Sequence, residues 1–168
     1  NGDLYVSIGM DASDPENGGL FRRIDGTEPS WERVTGWLHN DAHRKRNLTS
    51  ELRFSPIPDP DEESAQILLA TQAHPVNTIS RIYPRDDFRT TLDLDVQDYV
   101  SEHLPGARVM SVAANGFAPF RHPDTGEQVY IGGLWLYFHD QTDTRDSNAA
   151  WYLVRYSDGT YRHGRILD

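Results

Sequence analysis

Three segments of this chain repeat one pattern, and that repeat limits the folds open to it more than any other feature. LFRRID (20–25), ISRIYP (79–84) and LVRYSD (153–158) each place an arginine among apolar neighbours and then reach a turn former. Arg23, Arg81 and Arg155 are read as the shared arginine. The turns follow at Asp25-Gly26, Pro84-Arg85-Asp86 and Asp158-Gly159, the residues that set the backbone for a tight reversal. Short alternating runs closed by such turns are strands, not helices.

Each arginine-bearing run has a more apolar one before it: LYVSIG (4–9), QILLAT (66–71) and VYIGGLWLYF (129–138). Each is followed by a third strand-like segment, WERVTGW (31–37), TTLDLDV (90–96) and YRHGRIL (161–167). A fourth member appears as LRFSPI (52–57) and ARVMSVAA (107–114). Both lead through an acidic, proline-containing turn into the next apolar run, and Pro60 to Leu69 aligns without a gap on Pro123 to Gly132. VQDYVSEHL (96–104), stopped by Pro105-Gly106, is the one predicted helix, with Val96, Tyr99 and Val100 at i, i+3, i+4 spacing.

Four antiparallel strands recurring along a chain describe β-propeller blades. The expected fold is therefore all-β, with about three blades at 1–57, 58–115 and 116–168 forming an incomplete circle. The competing architecture is an irregular β-sandwich. Because the last unit lacks its outer strand, the expected partner is another chain or a second copy completing the ring.

The turns resemble those of Asp-box propellers, whose motif is Ser-x-Asp-x-Gly-x-Thr-Trp and which include the sialidases. Asp25, Gly26, Thr27, Ser30 and Trp31 supply its elements, with Asp25 six residues before Trp31 where the motif has five, and without the leading serine. Ser157-Asp158-Gly159-Thr160-Tyr161 is a shorter version. Arginine strands ending in Asp-Gly are also similar to those of lactonase-like and NHL-like propellers. The resemblance implies a propeller with a structural role for the motif, and it carries no single activity.

The formal net charge of −10, from 26 acidic and 16 basic residues, repels phosphate backbones and argues against nucleic acid as a partner. The absence of cysteine excludes disulfides, thiolate metal sites and a cysteine nucleophile. No apolar run approaches the roughly 18 residues of a membrane span, and no signal peptide is visible, so the chain is expected to be soluble with no membrane partner. It begins at Asn1 and not Met, as a processed chain or part of a longer one would.

Candidate chemistry lies in the loops. Asp59, Asp61, Glu62 and Glu63 crowd one turn, and Asp124 with Glu127 occupies the matching turn. Hard oxygen donors at one end of the fold suit a divalent cation such as calcium, and a carboxylate pair suits acid/base work. Arg85-Asp86 and Arg121-His122 are expected on the same rim, where Arg121, His122, Phe117 and Phe120 suit a sugar or carboxylate. The expected ligand-binding set is thus Arg121, His122, Asp124, Asp61, Arg85 and Asp86. His39 and His43 have the i, i+4 spacing of a helical zinc pair, with solvated loop as the alternative, and Arg44-Lys45-Arg46 beside them is the only basic cluster. The three repeated arginines are expected to be structural, paired with acidic neighbours. Two functions follow as expectations: a small-molecule or carbohydrate-binding domain, hydrolytic in one version, and a non-catalytic scaffold.

Overall fold

The computed structural model describes residues 4–8, 19–35, 52–62, 65–72, 77–112, 117–138 and 148–166. Among them are twelve strands and one helix in three antiparallel sheets. Sheet I is the meander β1 (Tyr5–Ile8), β2 (Gly19–Ile24) and β3 (Ser30–Thr35). Sheet II is the meander β4 (Leu52–Pro58), β5 (Gln66–Gln72), β6 (Thr78–Tyr83) and β7 (Arg89–Asp95). The helix α1 (Val96–His103) leads on to sheet III. Sheet III runs β12 (Tyr161–Arg165), β11 (Asn148–Arg155), β10 (Gln128–Phe138) and β8 (Ala107–Val112), with β9 (Ala118–Arg121) also on β10.

The predicted strands and helix are therefore present, and the fold is predominantly β. The unit boundaries differ. Residues 52–58, expected to close the first unit, pair with β5, and 107–112, expected to close the second, pairs with β10. The second sheet thus spans 52–95 where a unit of 58–115 was expected. The short acidic turn after β4 makes a hairpin with β5 the nearest antiparallel partner, whereas β3 lies across a much longer connection. Pro56 and Pro58 are accommodated because β4 is an edge strand, where a missing N–H costs no ladder bond. The gapless turn alignment also slips: β4–β5 closes at Pro58↔Gln66 and β9–β10 at Arg121↔Gln128, one residue shorter.

Sheet II is the middle layer, which explains why QILLAT is continuously apolar instead of alternating. Ile67, Leu69 and Ile79 point into one core with Val96 and Val100 of α1 and with Tyr130, Leu134, Leu136 and Leu153 of sheet III. Leu68, Ala70 and Ile82 point the other way, onto Leu20, Tyr5 and Val34 of sheet I. Each such fully buried aliphatic side chain contributes about 1.5–3 kcal/mol.

The register corrects the arginine repeat. In β2–β3 the pairing steps from Leu20↔Thr35 to Phe21↔Arg33, leaving Val34 as a bulge. In β6–β7 it steps from Ile79↔Leu94 to Ser80↔Leu92, leaving Asp93 as the bulge. Superposing the bulges makes Leu20 equivalent to Ile79 and Arg22, not Arg23, equivalent to Arg81. Arg23 lies on the outer face and pairs with its own turn residue Asp25 at 3.0 Å.

The direction in which the sheets face one another departs from a propeller. The β2–β3, β6–β7 and β11–β12 hairpins close over turns of equal length, at Ile24↔Ser30, Tyr83↔Arg89 and Arg155↔Tyr161, so Ile24, Tyr83 and Arg155 are equivalent. Sheet I turns this face to the back of sheet II, as successive blades do. Sheets II and III instead turn the equivalent faces toward each other: Arg81 of one and Arg155 of the other reach the same carboxylate, Asp93. A third blade in sequence would have Val154, not Arg155, facing sheet II, and a period of two residues makes those alternatives mutually exclusive.

Helix α1 closes the II–III core. Asp95 caps it by accepting from the Asp98 N–H at 3.0 Å, and Val96 and Val100 are fully buried. The Gln97 side chain accepts from Val109 N at 3.0 Å and Asn77 donates to Val109 O at 3.3 Å, fastening β8 to the helix and sheet II. No described helix is long and apolar enough to cross a membrane.

Candidate functional site

In a meander the first and third connections lie at the same end, and this brings the acidic β4–β5 turn beside the β6–β7 turn. Between them is a cleft of about 260 Å³ whose lining includes Asp59, Asp61, Glu62, Tyr83, Arg85, Asp86 and Arg89. That is below the roughly 300–1,000 Å³ of pockets for drug-sized ligands, a size for something smaller. Three of the expected residues, Asp61, Arg85 and Asp86, meet here.

Each wall is held by local chemistry. Asp59 accepts from Asp61 N at 3.0 Å, an Asx turn that fixes the first acidic loop. The opposite turn carries positive φ at Asp87 (46°) and Phe88 (53°). Phe88 accepts that strain because its ring is buried against sheet I, where Tyr5 meets it edge-on with centroids 6.1 Å apart. Across the cleft Arg85 donates from Nη1 to Glu62 Oε1 at 2.5 Å. Arg89 pairs with Asp86 and lies 4.1 Å over the Tyr83 ring. The hydrogen bond that Arg89 donates to Asp86 is the main reason its guanidinium is held more firmly protonated than usual.

Asp59, Glu62, Tyr83 and Arg89 were absent from the expected set. Their signal was available: Tyr83 and Arg89 are the pair that closes the hairpin, so any ligand between its turn and the neighbouring one must meet them.

Arg121, His122 and Asp124 do not line this cleft. Arg121 donates to Gly126 O at 2.7 Å, and His122 Nδ1 accepts from Asp124 N at 3.2 Å and Thr125 N at 3.4 Å. Those bonds turn both side chains back onto their own hairpin. Glu127 accepts from Ser157 N at 3.1 Å and from the Ser157 hydroxyl, linking the β9–β10 turn to the β11–β12 turn. Glu62–Arg85 in sheet II and Glu127–Ser157 in sheet III therefore do the same job of joining neighbouring turns. Phe117 is buried in the main core, while Phe120 stands half exposed on edge strand β9.

Among the described residues no three His, Asp or Glu side chains are grouped to hold a metal ion. Asp124 and Glu127 belong to the β9–β10 turn and do not line the cleft, and Glu63 lies outside the described residues. His39, His43 and the basic cluster 44–46 lie outside the described residues.

Arg81 and Arg155, two of the repeated arginines expected to be structural, both meet an acidic partner. The Asp93 side chain, 5% exposed, accepts from Arg155 Nε at 2.8 Å and Nη2 at 3.2 Å and from the Tyr161 hydroxyl at 2.5 Å, and Arg81 Nε lies at ion-pair distance, 3.0 Å. Burial works against the charge of Arg155, and the hydrogen bonds and charge of Asp93 outweigh it, so the guanidinium's pKa is raised. Burial, then the adjacent Asp93 charge, pushes the Tyr161 hydroxyl well above its ordinary range and keeps it a donor.

No known protein family, curated protein or solved structure matches this chain.

Proposed function

We propose that this chain is a ligand-binding β domain whose cleft between the β4–β5 and β6–β7 turns takes a small polyhydroxylated molecule of sugar size. The observation that carries this reading is the Glu62–Arg85 bridge across the cleft wall, set among other donors and acceptors. Hydroxyl groups both donate and accept, so a polyol can bond to carboxylates and guanidiniums side by side. A purely anionic ligand would meet Asp59, Asp61, Glu62 and Asp86 against two arginines. Both ends of the bridge are about half exposed, so opening it costs little, on the order of 1 kcal/mol or less.

The test is isothermal titration with a panel of monosaccharides and linear polyols on the wild type, Arg85→Ala and Asp61→Ala. Saturable binding lost in both variants, with folding intact by circular dichroism, is the expected result. No binding by any member, or binding indifferent to both substitutions, would remove this reading. Hydrolysis would be a further property of the same cleft, read as product release from aryl glycosides.

The scaffold reading has its own support. Sheets I and II stack head to tail as blades do, and the outward face of sheet I shows Leu4, Val6 and Trp31 at 51%, 37% and 50% exposure. In that reading the arc begins in another chain or copy packed on this face. Light scattering that finds only monomers at high concentration would count against it.

A further inference from the structure

One rung of sheet I reaches beyond its own sheet to the turn that walls the cleft. Tyr5 of β1 pairs with Arg22 of β2, and Arg22 pairs with Glu32 of β3. Arg22 is two residues from Leu20 on the same strand and so shares its face, the one packed on sheet II. Arg22 Nη2 donates to Glu32 Oε2 at 2.7 Å, and the guanidinium carbon stands 5.4 Å from the centre of the Phe88 ring. Tyr5 meets the same ring edge-on at 6.1 Å. Phe88 is buried, and it belongs to the β6–β7 turn of sheet II, not to sheet I.

That turn has two sides. Asp86 N donates to Tyr83 O at 3.1 Å and Arg89 N to Asp86 O at 2.8 Å, so two successive reversals fill residues 83–89. Arg85, Asp86 and Arg89 line the cleft, while Phe88 packs into the core between sheets I and II with Leu20, Leu68 and Ile82. The second reversal needs φ of 46° at Asp87 and 53° at Phe88, where a bulky side chain is held against a steric cost. Such residues persist where surrounding contacts over-determine them. The ring contacts that reach Phe88 across the sheet interface are those of Tyr5 and Arg22.

We infer that the binding strength of the cleft is set from sheet I, by Tyr5 and Arg22 holding Phe88 and, through it, the turn that carries Arg85, Asp86 and Arg89. This control rests on the cleft's proposed role as a polyol site. Tyr5, Arg22 and Phe88 are positioning residues, since none of the three lines the cleft. The two walls are separate turns, and the second is fixed from behind. Once Phe88 is released, its turn relaxes out of the left-handed region, and Arg85 and Asp86 move relative to Asp61 and Glu62 on the other wall. Coupling of this kind is reciprocal: a ligand that fits the cleft also tightens sheet I on sheet II.

Two readouts test this on wild type, Tyr5→Leu, Arg22→Met, Tyr5→Phe and Trp31→Ala, the last on the outward face of sheet I. One is NMR of the Arg85 and Arg89 side-chain Nε–H resonances without ligand, which report the Glu62 bridge and the Tyr83 ring 4.1 Å from the Arg89 guanidinium. The other is calorimetric titration with glucose, galactose, mannose, xylitol and sorbitol. Tyr5→Leu and Arg22→Met are expected to move both resonances toward those of free arginine. They are also expected to weaken any of these sugars that the wild type binds by about fivefold or more. Tyr5→Phe, which keeps the edge-on ring, and Trp31→Ala are expected to match the wild type in both readouts. Resonances unmoved in both Tyr5→Leu and Arg22→Met would overturn the inference, and so would equal shifts in Trp31→Ala. Unchanged affinity in both variants, for a sugar whose binding Arg85→Ala abolishes, would overturn it as well. If none of the five binds the wild type, the polyol reading falls, and the resonances alone decide whether sheet I sets the cleft wall.

Discussion

Arg155 on β11 and Asp93 on β7 form a forked ion pair, Nε to Oδ2 at 2.8 Å and Nη2 to Oδ1 at 3.2 Å, that joins sheet III to sheet II. Both side chains are under one tenth exposed. Asp93 reaches this position because it is the extra residue of a bulge, and a bulge re-aims the side chain it carries. Asp93→Asn would leave Arg155 charged and unneutralised in the interface. The expected loss is about 3–5 kcal/mol of unfolding free energy by urea denaturation. Replacing Asp93 by Leu and Arg155 by Met together is expected to cost less than Asp93→Asn alone, because the more deeply buried of the two arginine charges is then removed and only the more exposed Arg81 loses its partner. A double variant worse than the single one would show that the pair acts through something other than charge.

A second joint between helix and sheet sets a pH dependence. His163 of β12 shares a 2.9 Å hydrogen bond with the Tyr99 hydroxyl, and its ring lies 6.0 Å from that of His103. Burial first, and then the neighbouring His103, lowers the His163 pKa. The unfolded chain therefore binds a proton there at higher pH than the folded one. The resulting stability is present above the unfolded value of about 6.5 and is lost as pH falls through the lower folded value. Melting temperature is expected to drop between pH 7 and pH 5, and His163→Gln is expected to flatten that slope. An equally steep profile in His163→Gln would assign the acid sensitivity elsewhere.

The turn at 156–160 makes a narrower prediction. Gly159 has φ of +86°, and the Asp158 carboxylate accepts from Thr160 N at 2.9 Å and from its hydroxyl at 2.7 Å. Those two bonds hold the Asp158 pKa below the usual carboxylate range. A Cβ at residue 159 meets only the tip of Arg155, at 3.6 Å, so the cost of Gly159→Ala is conformational and not steric. It is expected to lower stability by about 1–2 kcal/mol. Gly159→Asn, which tolerates the left-handed region better, should recover part of that loss in the same denaturation assay.

Asp95 makes a further case, at the start of α1. Removing its cap by Asp95→Ala leaves the Asp98 N–H unpartnered and is expected to cost about 1 kcal/mol. Asp95→Ser should restore most of it. Amide exchange at residue 98 reads the effect directly, and protection unchanged in the alanine variant would refute the capping role.

Much of the secondary structure was legible in the sequence because it is decided within a few residues. Asp-Gly and Pro-Arg-Asp mark the reversals, alternation marks the strands between them, and Pro105-Gly106 stops the one predicted helix near where the pattern predicts. Half of the candidate cleft was legible too: an acidic turn and an Arg-Asp turn in one meander must lie at the same end. Arg121 and His122 belonged to a turn at the matching position, yet their side chains serve that turn's own backbone. Spacing alone does not distinguish a residue that points at a ligand from one that closes its hairpin.

The sequence by itself determined a predominantly β chain of short strands with tight reversals and one helix stopped by Pro105-Gly106. Only the tertiary structure decided that β4 belongs with β5, that Arg22 and not Arg23 matches Arg81, and that sheets II and III meet through equivalent faces. The reason is the two-residue period of a strand. A one-residue slip, or a single bulge such as Asp93, exchanges the two faces without altering the local pattern. Which face is buried, and so whether Arg22 or Arg23 meets Phe88, is then fixed by what packs alongside.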